Sequence, residues 1–219
     1  MGTVDDHDFL TGTRTGYDRT AGRYAERFHT HLDDKPLDRA MLGAFAELVA
    51  ATENKQVIDV GCGTGATTKI LHDHGVEAFG IDLSPKMIDH AQRLNPDLIF
   101  EVGSMTSLDI PDASVGGVCA WYSIIHIPDG HLDRVFDEFV RVLAPGGMAL
   151  LAFQVGDQPR VLQEAFGQQI ELTFFRRQPD DISRRLERTG LRRYAELVRE
   201  PANDGFESTP QAYLIAQKS

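Results

Sequence analysis

Apolar positions along the chain follow two rhythms, and they alternate. A β-branched run, Val57-Ile58-Asp59-Val60, reads as a buried parallel strand and breaks at Gly61-Cys62-Gly63-Thr64-Gly65. Helical spacing resumes at Ala66 and closes near Gly75, a C-cap residue. Strands are expected at 76–81, 98–102, 115–121 and 148–153. Between them lies a helix opening at Ser84 and Pro85, suited to the N-cap and the first helical position. Another spans 129–143, with Leu132, Val135, Phe136, Phe139 and Val140 on one side. Two helices precede the first strand. One, at 15–31, carries Tyr17, Tyr24 and Phe28; the other, at 38–51, stripes Leu42, Phe45, Leu48 and Val49 behind Pro36. In the last third, 161–166 reads as a short apolar helical piece and 172–176 as extended and aromatic. A helix at 179–189 ends at Gly190, and strands follow at 191–199 and 211–217. Strands alternating with helices predict an α/β, doubly wound sheet with right-handed crossovers.

Ligands of such sheets bind beyond the carboxyl ends of the strands. The glycine bend lies at one of these ends. Lacking a Cβ, glycines permit unusual backbone angles and close approach to a ligand, and the next helix points free N–H groups into the same crevice. About twenty residues on, Gly80-Ile81-Asp82 ends the second strand on a carboxylate able to accept both hydroxyls of a ribose. Together these features predict an adenosine-containing cofactor.

The dinucleotide fingerprint is G-x-G-x-x-G, whereas this bend reads G-x-G-x-G after Asp59. That pattern resembles motif I of the class I S-adenosylmethionine-dependent methyltransferases. The resemblance continues in Tyr17-Asp18-Arg19-Thr20-Ala21-Gly22-Arg23-Tyr24, similar to the Y-D-x-x-A-x-x-Y opening of the small-molecule type. It continues again in Gly80-Ile81-Asp82-Leu83-Ser84-Pro85-Lys86-Met87-Ile88 and in the turn Leu143-Ala144-Pro145-Gly146-Gly147. The resemblance implies a Rossmann-like sheet of seven strands, mostly parallel, with an antiparallel last strand and N-terminal cap helices. It implies S-adenosylmethionine as cofactor, contacted by Tyr17, Asp59, Gly61, Cys62, Gly63, Gly65, Asp82, Leu83, Ser104, Met105 and Trp121. Ser104 departs from the family, in which an Asp often stands there and takes the adenine amino group. His126, whose kind of side chain titrates near neutrality, is the candidate general base, and Tyr24 a candidate for positioning the acceptor. One domain is expected: 1–52 as cap helices, 53–153 as cofactor-binding core, and 154–219 as acceptor-side insert and C-terminal hairpin.

Composition narrows the partner. The chain has 219 residues, 42% hydrophobic and 25% charged, which suits a single α/β domain with a sizeable core. No apolar run approaches the ~20 residues of a membrane span, and the polar, acidic start, Met1 to Asp8, is no secretory leader. A net charge of −11 argues against a nucleic-acid surface, and the pairs Arg176-Arg177, Arg184-Arg185 and Arg192-Arg193 read as solvated helix faces. Cys62 and Cys119 lack metal spacing, and the eight histidines show no ligand grouping. The expected protein is therefore a cytoplasmic monomer or homodimer that uses no metal and acts on a small-molecule acceptor at an O, N or C atom. It would work mainly by positioning and desolvation. Two rivals remain. A non-catalytic S-adenosylmethionine-binding protein would keep the same glycines; an NAD-dependent oxidoreductase would need a hydride site, and no Ser-Tyr-Lys set is found.

Overall fold

A computed structural model describes residues 6–219; the polar stretch 1–5 read above lies outside the described residues. A seven-stranded sheet runs in the order β3-β2-β1-β4-β5-β9-β8. Its strands are β1 (Gln56–Val60), β2 (Glu77–Asp82), β3 (Phe100–Val102), β4 (Val115–Trp121), β5 (Leu143–Gln154), β8 (Leu191–Arg199) and β9 (Gln211–Lys218). All pairings from β3 across to β5 are parallel, and β9 inserts antiparallel between β5 and β8. The order reverses at β1, so the crevice beyond the ends of β1 and β4 is the topological switch point.

Alternation along the strands builds two cores. Ile58 and Val60 of β1, Val118 and Ala120 of β4, and Leu214 of β9 face α5 (Asp129–Val142) and α6 (Pro179–Thr189). Val57, Cys119, Trp121 and Tyr213 face the other way, with Leu42, Phe45 and Val49 of α2 (Pro36–Ala50) and Leu71 of α3 (Ala66–Asp73). Burial on both faces is why these strands read as near-continuous apolar runs.

Three elements differ from expectation. The helical piece at 161–166 is strand β6 (Arg160–Ala165), paired antiparallel with β7 (Gln168–Phe174). Val161 and Phe166 are exposed, so the helical stripe read there has no core to face, and hairpin pairing decides the conformation. The Leu143–Gly147 turn is instead the irregular start of β5, with Leu143 opposite Val115 and a register shift after it. Finally, α2 packs on the sheet; the helix that lies over the crevice is α1 (Asp6–Phe28), which packs on β7 and on α4 (Pro85–Leu94).

Candidate functional site

The bend after β1 is shaped by three different constraints. Gly61, at φ +74°, takes its N–H to the Ile81 carbonyl at 2.7 Å, and a Cβ there would lie 2.3 Å from the Ser123 Cβ. Gly65, at φ +82°, sits against Phe100 and Asn95, where a Cβ would meet ring carbon at 2.7 Å. Both glycines serve packing. Gly63, at φ +54°, has room beside it; a Cβ there would meet only the Tyr24 ring at 3.8 Å.

Asp82 ties this bend to the next strand. Its Oδ2 accepts the Gly63 N–H at 2.8 Å and its Oδ1 the Ser84 N–H at 2.8 Å. Burial lifts the carboxyl to about 6, against the pull of those two donors. A carboxylate offers about four acceptor positions, so two remain. Ser84 caps α4 by accepting the Met87 N–H at 3.1 Å, as its place before Pro85 predicts.

The crevice holds about 140 Å³ of free space. Tyr17, Tyr24, Gly61, Cys62, Gly63, Asp82, Leu83, Ser104, Met105, Trp121 and His126 all line it. Asp59 and Gly65 do not. Asp59 is wholly buried beneath the bend, where its Oδ2 accepts the Thr68 hydroxyl at 2.7 Å and burial raises its pKa to about 7. Ser104 spends its hydroxyl within its own turn, 2.8 Å from the Thr106 hydroxyl. The Cys62 thiol is pushed up by burial, with Asp82 and Asp59 adding to it, so it stays protonated and is no nucleophile.

His126 is engaged at both ring nitrogens. Nδ1 lies 3.0 Å from the Thr173 carbonyl and Nε2 lies 2.7 Å from the Tyr17 hydroxyl. A carbonyl only accepts, so Nδ1 carries the proton. Burial lowers the imidazole to about 4, so at neutral pH Nε2 is bare and accepts the Tyr17 O–H. The ring therefore joins α1 to β7. One residue on, the Ser84 hydroxyl donates to Asp18 at 2.6 Å, which fastens α1 to α4. The adjacent Tyr-Asp pair is thus a two-point clasp.

A second network was illegible in the chain because its members are far apart. Tyr122, the residue after β4, adopts φ +52°. Its hydroxyl lies 3.0 Å from that of Tyr213, which donates to the buried Asp38 at 2.9 Å. Arg199 braces the set, with Nε 3.0 Å from Asp38 and Nη1 2.5 Å from Glu207. Asp38 stands in the first turn of α2, and its partners lie 161 and 175 residues away.

A family model described as a methyltransferase domain matches residues 57–147, which hold the bend, Asp82 and β4. That segment, about two fifths of the chain, is similar to a methyltransferase domain. The chain is 29% identical over 116 residues to a demethylmenaquinone methyltransferase of Beutenbergia cavernae, covering 53% of this chain and 48% of that protein. It is 37% identical over 101 residues to a 2-methyl-6-phytyl-1,4-hydroquinone methyltransferase of Synechocystis, covering 44% and 31%. This chain thus spans about half the length of the first relative and about a third of the second. Its fold is similar to that of magnesium protoporphyrin IX methyltransferase from Synechocystis, solved with bound S-adenosylmethionine, at TM-score 0.71 and 17% identity, covering 99% of this chain and 100% of that one. No helix among the described residues is long and apolar enough to cross a membrane, and no group of three or more His, Cys, Asp or Glu there could hold a metal ion.

Proposed function

We propose that the domain binds S-adenosylmethionine in this crevice and transfers its methyl group to an O, N or C atom of a small-molecule acceptor. The observation that carries the reading is Asp82, a buried carboxylate at the switch point with two acceptor positions spent on Gly63 and Ser84 and two left for a pair of vicinal hydroxyls. Trp121 and Ser123 are lining residues, and the indole N–H of one and the hydroxyl of the other are buried with no partner among the described residues. Buried polar atoms of that kind are normally satisfied.

The cofactor would supply an electrophilic methyl carbon on a sulfonium and leave as a neutral thioether. The chain's own part is binding, orientation and exclusion of water. Asp82 holds the ribose, Gly63 leaves room beside it, and Leu83 and Met105 offer apolar cover with the backbone around Ser104. The walls near Trp121, Tyr122 and Ile127 are apolar, which suits a reaction that disperses charge. His126 acts here as a positioning residue: with one nitrogen given to Thr173 and the other to Tyr17, it sets the place of α1. The Tyr24 phenol, raised to about 12 by burial and by Asp82, stays protonated and can orient an acceptor by hydrogen bonding.

Both cysteines are free and buried, which fits a reducing, cytoplasmic setting, and the charge of −11 favours a small acceptor over a nucleic acid. The test is incubation with methyl-labelled S-adenosylmethionine and a panel of phenols, amines and carbon acids. Label should pass to at least one acceptor class. Tight cofactor binding with no transfer to any would return the protein to the non-catalytic reading.

A further inference from the structure

The loop after β5, the end of β7 and helix α6 border a second hollow, of about 430 Å³. Five of its lining side chains are arginines: Arg176 and Arg177 beyond β7, and Arg184, Arg185 and Arg188 on α6. The spacings of four and three make Arg188 a neighbour of both Arg184 and Arg185 on the helix surface. Read from the sequence as separate solvated faces, the pairs Arg176-Arg177 and Arg184-Arg185 are brought round one hollow by the fold. In a chain of net charge −11, that is a local reversal of sign.

Three carboxylates share the lining, and each is engaged. Asp129 accepts from the Arg177 Nε at 2.9 Å, Asp157 accepts from the Gln178 side-chain amide at 2.8 Å, and Asp181 pairs with Arg184. Beside the hollow, Asp133 pairs with Arg185 at 2.7 Å and with Arg188 at 3.3 Å. Five guanidiniums against these four acids leave one positive charge over. Its carrier is Arg176, which has no carboxylate partner among the described residues. The Arg176 Nη2 donates to the Ser208 hydroxyl at 2.9 Å, and its stem lies across Gly156, where a Cβ would come 3.1 Å from the Arg176 Cδ. The side chain is held in place without being neutralised.

Arg177 adds a charge that cannot turn away. It is 6% exposed, and its guanidinium is tied to the Ile124 carbonyl at 3.1 Å and to that of Ile127. The side chains of Arg184 and Arg188 are instead 65% and 64% exposed, so their ion pairs contribute little and can be exchanged for a stronger partner. A phosphoryl group is such a partner, because a guanidinium fork binds it through two parallel charge-assisted bonds. Arginines arriving from two elements suit tetrahedral oxygens that point several ways better than a flat carboxylate.

We infer that this hollow is a second ligand site, which binds a diphosphate group of a small molecule through Arg176, Arg184 and Arg188. One helical turn, about 6 Å along the axis, separates the last two, a span that suits two linked phosphoryl groups better than one. Among the described residues none lines both the hollow and the crevice, so binding here does not depend on methyl transfer there.

The test is calorimetry on the full chain at fixed ionic strength, with pyrophosphate, orthophosphate, citrate and ADP as probes. One pyrophosphate per chain should bind, about tenfold more tightly than orthophosphate or citrate. Arg176→Ala, and the double change of Arg184→Ala with Arg188→Ala, should each weaken it about tenfold, and added salt should weaken it further. Arg23→Ala, at an exposed arginine outside the hollow, should leave it unchanged, and all these variants should keep the wild-type melting temperature. ADP binding as tightly as pyrophosphate would assign the group to an ester whose remainder projects from the hollow; pyrophosphate without ADP would assign the free anion. The inference is overturned by a lack of saturable pyrophosphate binding, by orthophosphate or citrate binding equally well, or by binding indifferent to the arginine changes in the hollow.

Discussion

At the scale of residues, the G-x-G-x-G pattern was legible as a bend, but the reason for each glycine was not. Gly61 and Gly65 answer to Ser123, Phe100 and Asn95, which only folding brings near. Gly61→Ala combines an unfavourable φ with a Cβ overlap, so it should destabilise the fold by about 2–5 kcal/mol in chemical denaturation. Asp82 makes a pH prediction. Its carboxyl sits at about 6 before any ligand arrives, because burial outweighs two N–H donors. On the proposed role of Asp82 as acceptor of the ribose hydroxyls, affinity should be full above pH ~7 and fall as pH drops through the raised value. Titrations between about pH 5 and 8 should show this slope, and Asp82→Asn should flatten it. His126 lines the crevice, and the general-base expectation drawn from its usual pKa meets a ring buried and hydrogen-bonded on both sides. Since its pKa falls from 6.5 to about 4, its stabilisation is complete above the ordinary value and is lost as pH drops from there toward 4.

Among the elements, α1 lines the crevice from Phe9 to Phe28. It carries three glycines, Gly12, Gly16 and Gly22, and each lowers helix propensity by about 1 kcal/mol relative to alanine. Its order therefore depends on tertiary contacts at Tyr17, Asp18 and Leu172. Gly12 has open space around it, so Gly12→Ala should slow hydrogen exchange across α1 by up to about fivefold. Gly16→Ala should do the opposite, because its Cβ would sit 2.8 Å from Leu172. The contrast tests whether the clasp, rather than the helix itself, holds the lid. The helices and central strands were readable because burial on one or two faces stamps a period on them. Strand β6 was not, because it stands away from the core with Val161 exposed, whereas the extended reading at 172–176 overlaps the end of β7.

Over the whole molecule, β9 carries Tyr213 from the far end of the chain to the back of Tyr122, and Asp38 and Arg199 lock it there. Removing one partner of a buried pair leaves the other uncompensated, so Asp38→Ala should cost about 3–5 kcal/mol in denaturant unfolding. The proposed methyl transfer depends on the crevice between the bend and Asp82. The most direct measurement is a calorimetric titration of S-adenosylhomocysteine into the wild type and the Asp82→Ala variant, with NAD as control. One molecule per chain should bind to the wild type, the variant should lose about 1–3 kcal/mol of that affinity, and NAD should give no heat. Saturable binding of NAD with none of S-adenosylhomocysteine would contradict it.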